Sequence, residues 1–270
     1  MKKTFKNIAL SLGAAALIVP TFVLNVQAAS GVVLSYDNDN VNVEINVPEK
    51  YEIVADNTTV YCGNPEDYGV SESDLTGSVD GKVMIFDALY VDESSYFVET
   101  YLSRQETADD ERIGNLSDYV DEALEDFNDP KAMEEGFKEA GLEGTAEYTG
   151  IHKTSTGEVY IAYNLTFTMQ GQETKASLLC TFVSGKAYYF YSRTTSPSTD
   201  FDVLSKNVEE LVEGVTYPGK VDAPTKKTKL PGSGINLGRV LAGGIVGGVS
   251  AAIIAVVVGV VSSKKRKKNA

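Results

Sequence analysis

The side chains in this chain that could do chemistry are few in kind: one histidine, His152, two cysteines, Cys62 and Cys180, and many carboxylates. A Ser-His-Asp or Cys-His mechanism needs an imidazole base, so either would have to use His152. That residue follows Ile151 in a stretch, 145–153, that reads as a strand, where a structural or surface role outweighs a catalytic one. Two cysteines and one histidine cannot complete a four-ligand zinc set without carboxylates, so no metal or other cofactor is expected. No G-x-S-x-G, H-E-x-x-H, phosphate-loop or dinucleotide pattern occurs. Hydrolysis by a carboxylate pair stays open, because the 37 acidic residues of 30–219 supply many pairs and sequence carries no distances.

Cys62 and Cys180 have two readings. They pair, closing a loop over 63–179 worth about 4–5 kcal/mol of chain entropy, or Cys180 is a buried thiol in an apolar strand pattern. Tyr188, Tyr189 and Tyr191 cluster in another strand pattern, Tyr189 and Tyr191 on one face and Tyr188 on the other. Sheet packing outweighs an aromatic platform for sugar or peptide there. Asp37-Asn38-Asp39-Asn40 looks like the start of a calcium loop but lacks the sixth-position glycine and the distant glutamate, so it reads as a turn.

The two ends of the chain direct where these groups are expected to work. Lys2, Lys3 and Lys6 precede an apolar run over 8–26 and the small-residue pattern Val26-Gln27-Ala28. This is the pattern of a secretory signal peptide, 1–28, cut after Ala28. Near the other end, the 22 residues of 240–261 carry no charge. As a helix they would reach roughly 33 Å, enough to cross a bilayer core. A transmembrane helix is therefore expected over 237–262. The tail, 263–270, holds Lys264, Lys265, Arg266, Lys267 and Lys268. Positive charge stays on the cytoplasmic side, which places residues 29–236 outside the cell. Stop-transfer explains this basic cluster, and no nucleic-acid partner follows from it. Within the apolar run, Gly243, Gly247, Ala251, Ala255 and Gly259 recur every four residues. Small residues at that spacing let two helices approach closely, so self-association is expected alongside an ectodomain partner of unknown kind.

Charge divides the same way. Residues 30–219 hold 37 acids against 11 bases, a formal −26, while the whole chain stands at −14. A domain this acidic is repelled by nucleic acid and by anionic lipid. A dispersed, soluble surface outweighs a specific cation-binding role.

The elements that must position these residues follow from periodicity. Val41, Val43, Ile45 and Val47 alternate with polar residues, a strand with one buried face ended by Pro48. Segments 82–91 and 96–104 read as a hairpin. Leu116, Val120, Leu124 and Phe127 fall on one face of a helix, closed by Asn128-Asp129-Pro130. Asp129 caps a second helix with Pro130 in its first position, Met133, Phe137 and Ala140 form its apolar stripe, and Gly141 ends it. Three strands follow as a meander, turning at Gln170-Gly171-Gln172 and at Ser184-Gly185. A last helix carries Phe201, Leu204, Val208, Leu211 and Val212 and stops at Gly214. This order describes an α+β domain over 29–218, an antiparallel sheet with helices packed on it. A polar linker is expected over 219–236.

Four stretches carry a resemblance: Val43-Glu44-Ile45-Asn46-Val47-Pro48, Asn115-Leu116-Ser117-Asp118-Tyr119, Phe182-Val183-Ser184-Gly185-Lys186-Ala187-Tyr188-Tyr189, and the final helix, 200–212. With the order of elements, they resemble the PsbP-like fold, an α-β-α sandwich, as in membrane-tethered ectodomains of Gram-positive bacteria. The resemblance implies a docking or assembly module rather than an enzyme, and it brings no active-site motif. Leu230-Pro231-Gly232-Ser233-Gly234, followed by an apolar run and a basic tail, resembles a sortase-type sorting signal with Ser233 in place of threonine. Cutting after Ser233 would join the domain to the cell wall, whereas a plain Pro/Gly linker would leave it in the membrane. The expectation is a single-pass, surface-displayed binding or assembly module. A surface hydrolase using a carboxylate pair and a structural wall protein are the alternatives.

Overall fold

The computed structural model describes residues 33–36, 42–48, 50–56, 78–79, 82–91, 97–105, 112–169, 172–194 and 196–231. The expected signal peptide, the Asp37-to-Asn40 turn, Cys62, the motif residues Gly232 to Gly234, the apolar run with its Gly/Ala stripe and the basic tail lie outside them. Among the described residues no helix is long and apolar enough to cross a membrane.

Eleven strands and three helices are described. The strands are β1 (Val33–Tyr36), β2 (Val43–Asn46), β3 (Glu52–Asp56), β4 (Ser78–Val79), β5 (Lys82–Val91), β6 (Phe97–Gln105), β7 (Glu143–Lys153), β8 (Val159–Met169), β9 (Gln172–Val183), β10 (Lys186–Thr194) and β11 (Val215–Thr216). The helices are α1 (Asp121–Leu124), α2 (Pro130–Ala140) and α3 (Phe201–Glu213). One antiparallel sheet runs β3-β5-β6-β10-β9-β8-β7, with β4 beside β5, and a small second sheet runs β1-β2-β11.

Side-chain alternation divides the large sheet into two buried faces. Ile161, Tyr163, Leu165, Ala176, Leu178, Cys180, Tyr189 and Tyr191 share one face with Leu116, Leu124, Phe127 and Phe137. Tyr160, Leu179, Val183, Tyr188 and Phe190 share the other with Val43 and Ile45 of β2 and Val208, Leu211 and Val212 of α3. Each parity of the strands thus meets its own layer, as the period of two requires. The result is mixed α+β, an antiparallel sheet with helical layers on both sides. Burying each such aliphatic or aromatic side chain is worth about 1.5–3 kcal/mol. The tyrosine cluster is sheet packing: Tyr188, Tyr189 and Tyr191 are all buried.

The meander forms as expected. Ser184 and Gly185 both take positive φ, 51° and 76°, which lets Lys186 pair with Val183 in a two-residue turn. Helix α2 also follows its sequence signals. Asp129 accepts a hydrogen bond from the Lys131 backbone N–H at 2.9 Å, Pro130 opens the helix, and Gly141 closes it in the left-handed conformation. Gly214 ends α3 for a different reason from Gly141. Its φ is an ordinary −87°, but a Cβ there would lie 2.4 Å from the Asn46 carbonyl oxygen. The absence of a side chain is what lets α3 run into β11 against β2.

The helix expected through Leu116, Val120, Leu124 and Phe127 is not continuous. A 3-10 turn, Leu116–Asp118, precedes two extended residues, Tyr119 and Val120, and then come α1 and a second 3-10 turn, Glu125–Phe127. Leu116, Leu124 and Phe127 are buried and Val120 packs beside them, so the apolar spacing reports burial correctly. The backbone departs from a helix because the Val120 N–H donates to the Lys227 carbonyl at 3.0 Å, far along the chain.

Candidate functional site

Two groups of polar residues stand out on this framework: the segment that follows β11, and the surroundings of His152. Residues 219–231, where the polar linker was expected to begin, lie along the 113–120 segment as a strap. Lys227 is paired with both neighbours of the break just described. Its N–H donates to the Asp118 carbonyl at 2.7 Å and its carbonyl accepts from Val120. Tyr119 and Lys227 form a parallel bridge. The Ala223 N–H donates to Asp118 Oδ1 at 2.6 Å. Asn115 Nδ2 donates to the Val221 carbonyl at 2.8 Å. Leu230 packs at the margin of the core face that holds Leu116 and Phe127.

The charged centre of the strap is Lys220. Its Nζ lies 2.6 Å from both carboxylate oxygens of Glu158, and the two side chains are only 9 % and 10 % exposed. Lys220 also donates to Ser117 Oγ at 3.2 Å and lies 3.2 Å from Asp222. Ser117 in turn donates to Asp222 Oδ1 at 2.6 Å. That bond, with the nearby Lys220 and Lys226, holds the Asp222 carboxyl below its usual range. Lys226 Nζ donates to the Ser117 carbonyl, and Lys227 Nζ sits 3.5 Å from Asp118 and 4.9 Å from the Tyr119 ring centre. A buried pair of this kind is a weak source of net stability but a strict one. Removing one partner leaves a charge without compensation in a poor solvent for it.

Two stretches singled out in the sequence meet here. Asn115 Oδ1 accepts from the Ser184 N–H at 2.7 Å while its amide holds the strap, and the Gly185 N–H donates to the Gly114 carbonyl at 3.1 Å. Asn115 therefore links the β9–β10 turn to the strap, a structural role. Glu158 and Lys220 were not singled out in the sequence. Nothing in their local spacing marks them, because they are partners across 62 positions.

His152 stands on β7 beside α3. Its Nδ1 is 3.9 Å from Glu209 Oε1 and its Nε2 is 3.9 Å from Glu213 Oε1, one helical turn apart. The ring is tilted against Tyr160, centres 6.4 Å apart. Ser155 does not face the imidazole as a nucleophile would. Its hydroxyl donates to Glu213 Oε2 at 2.7 Å, joined by its backbone N–H at 3.1 Å. Those bonds, with the neighbouring His152, hold the Glu213 carboxyl below its usual range. Ser155 is bound to the carboxylate and not to the imidazole, and these contacts join α3 to β7 and the turn after it. Among the described residues, no group of three or more His, Cys, Asp or Glu side chains could hold a metal ion.

The remaining sequence candidates fall as follows. Cys180 is buried between Ile161 of β8 and Tyr189 of β10, and its proposed mate Cys62 lies outside the described residues. Leu230 packs on the core and Pro231 is the last described residue after it. Burial pushes the phenols of Tyr160, Tyr163 and Tyr217 above their usual value, as expected of rings built into a core.

No protein-family model matches this chain, and no curated protein matches it. Among solved structures, it is similar to LpqN of Mycobacterium tuberculosis, described as involved in cell envelope biogenesis. The TM-score is 0.35 and the identity 9 %, over 69 % of this chain and 89 % of LpqN. It is also similar to a protein of Bacteroides thetaiotaomicron, with a TM-score of 0.31 and 10 % identity, over 69 % of this chain and 48 % of that one. Values of this size describe a distant likeness in the course of the chain and carry no function with them.

Proposed function

We propose that this chain is a cell-surface display module: an extracellular α-β-α sandwich of the PsbP-like kind, held by a single membrane helix and acting by binding or assembly without catalysis. The observation that supports it most is the strap. The domain holds its own chain as far as Leu230, so the apolar run begins about ten residues beyond a point tied to the fold. The strong negative charge of residues 30–219 suits a soluble surface kept away from anionic lipid. Pairing of two chains through Gly243, Gly247, Ala251, Ala255 and Gly259 would present two domains together.

Mass spectrometry of both ends of the mature protein, after cell fractionation, tests this reading. The expected product begins at Ala29 and is found with the envelope. A C-terminus at Ala270 means membrane-held, and one at Ser233 means joined to the wall through Leu230-Pro231-Gly232-Ser233-Gly234. A chain recovered from the cytosol with Met1 in place contradicts the proposal. Separately, unchanged association of a Gly247→Ile anchor in a membrane reporter assay would sink the pairing.

A further inference from the structure

We infer that residues 219–231 form a releasable latch, and that segment 226–229 within it is a gated cleavage site for an endoprotease of basic specificity. The inference does not depend on where the chain is displayed.

Lys226, Lys227 and Lys229 are exposed, though the Lys226 ammonium is bound by the Ser117 carbonyl and that of Lys227 lies 3.5 Å from Asp118. The backbone is not available. A protease binds its substrate as an extended strand, pairing with main-chain groups around the bond to be cut. At Lys227 both groups are already used, the N–H by Asp118 and the carbonyl by Val120. Hydrolysis must wait until the strap lifts. Water then adds across the peptide bond, leaving a lysine carboxylate on one fragment and a free amine on the other.

What holds the strap is unlike what holds the rest of the domain. Val221 is 80 % exposed, and of the strap's apolar side chains Leu230 is the one that packs against the core. The bonds to Asn115, Ser117, Asp118 and Val120 and the pair of Lys220 with Glu158 supply the attachment. A segment tied mainly by polar bonds can open while the apolar core stays folded. Lys220 is the pin: its ammonium is the buried charge that links the strap to the β7–β8 turn. When the strap opens, cleavage tracks the open population, provided reclosing is faster than cutting.

Trypsin acting on the full chain in detergent micelles, with the sites mapped by mass spectrometry, tests this. The wild-type chain is expected to be cut within 226–229 at least about tenfold more slowly than a free peptide of residues 219–231. Lys220→Met is expected to raise that rate roughly tenfold to a hundredfold, with cleavage after Lys153 and Lys175 unchanged. Asp222→Ala removes a half-exposed partner without touching the core, and should raise the rate about threefold. Lys226→Gln/Lys227→Gln/Lys229→Gln should abolish cutting within 226–229 in every background, with cleavage after Lys220 and Arg239 mapped separately. A wild-type strap cut as fast as the free peptide would overturn the inference. So would a rate that neither Lys220→Met nor Asp222→Ala changes. Should Lys220→Met unfold the whole domain by circular dichroism, Asp222→Ala alone decides.

Discussion

The two faces of the large sheet are sealed in different ways. On one face α3 lays Leu204, Val208, Leu211 and Val212 against the strands, and β2 and β11 extend the same apolar layer. On the other face, α1, α2 and the 3-10 turns lay Leu116, Leu124, Phe127 and Phe137 against the strands, and the margin is closed by the strap with lysines, carboxylates and backbone hydrogen bonds. The first seal is made by area removed from water, which is non-directional and not weakened by ionic screening. The strap at the margin of the second depends on individual partners, so it can be undone one bond at a time. One sheet thus carries a permanent layer and a removable edge.

The contrast breaks most sharply at α3. Leu211→Ala empties a fully buried site in the apolar layer and is expected to cost about 2–5 kcal/mol, lowering stability of the whole domain in denaturant melts. The strap should unfold with it and show no separate transition. Gly214→Ala places a methyl against the Asn46 carbonyl oxygen at the junction of α3 and β2, and is expected to cost about 1–3 kcal/mol through a forced backbone shift. If Gly214→Ala is neutral, the junction is looser than described.

Acid acts on the other face and more gently. The Asp222 carboxyl is lower in the folded chain than when free, because Ser117 and Lys220 favour its charged form. Its support for the strap is present above the ordinary aspartate value of about 3.9 and is lost as pH falls through the lowered folded value. Glu213, lowered by Ser155, follows the same sign at the His152 contact. Between about pH 5 and pH 2 the strap amides should lose protection before circular dichroism reports loss of the sheet. Simultaneous loss would mean the two faces are not separable.

What was legible in the sequence is the apolar framework of both faces. Its information is local: alternating residues along β8, β9 and β10, the Ser184-Gly185 turn, and the apolar stripe of α3 all report bonds made within or between adjacent elements. Asp129, Pro130 and Gly141 mark both ends of α2 for the same reason. The illegible parts are those whose partners are distant. Leu116, Val120, Leu124 and Phe127 mark a buried face correctly, yet the helix they suggest is interrupted because Val120 bonds to Lys227. The pairing of β10 with β6, and of Lys220 with Glu158, join residues with no local signature. β1 was missed as well, its four residues taking shape only as the partner of β2. Read alone, 219–231 looks like a spacer because it is polar, and polarity is also what fits it to Asn115, Ser117 and Asp118.

Amide hydrogen exchange on the wild-type chain at neutral pH tests this account most directly. The backbone N–H groups of Val120 and Lys227, and that of Ala223, are each held by one bond of the strap. They should be protected as a group, and should exchange faster than the amides of β8, β9 and β10 through an opening smaller than global unfolding. If these three amides exchange at the rate of an unstructured peptide, the strap is not part of the domain, and the account fails.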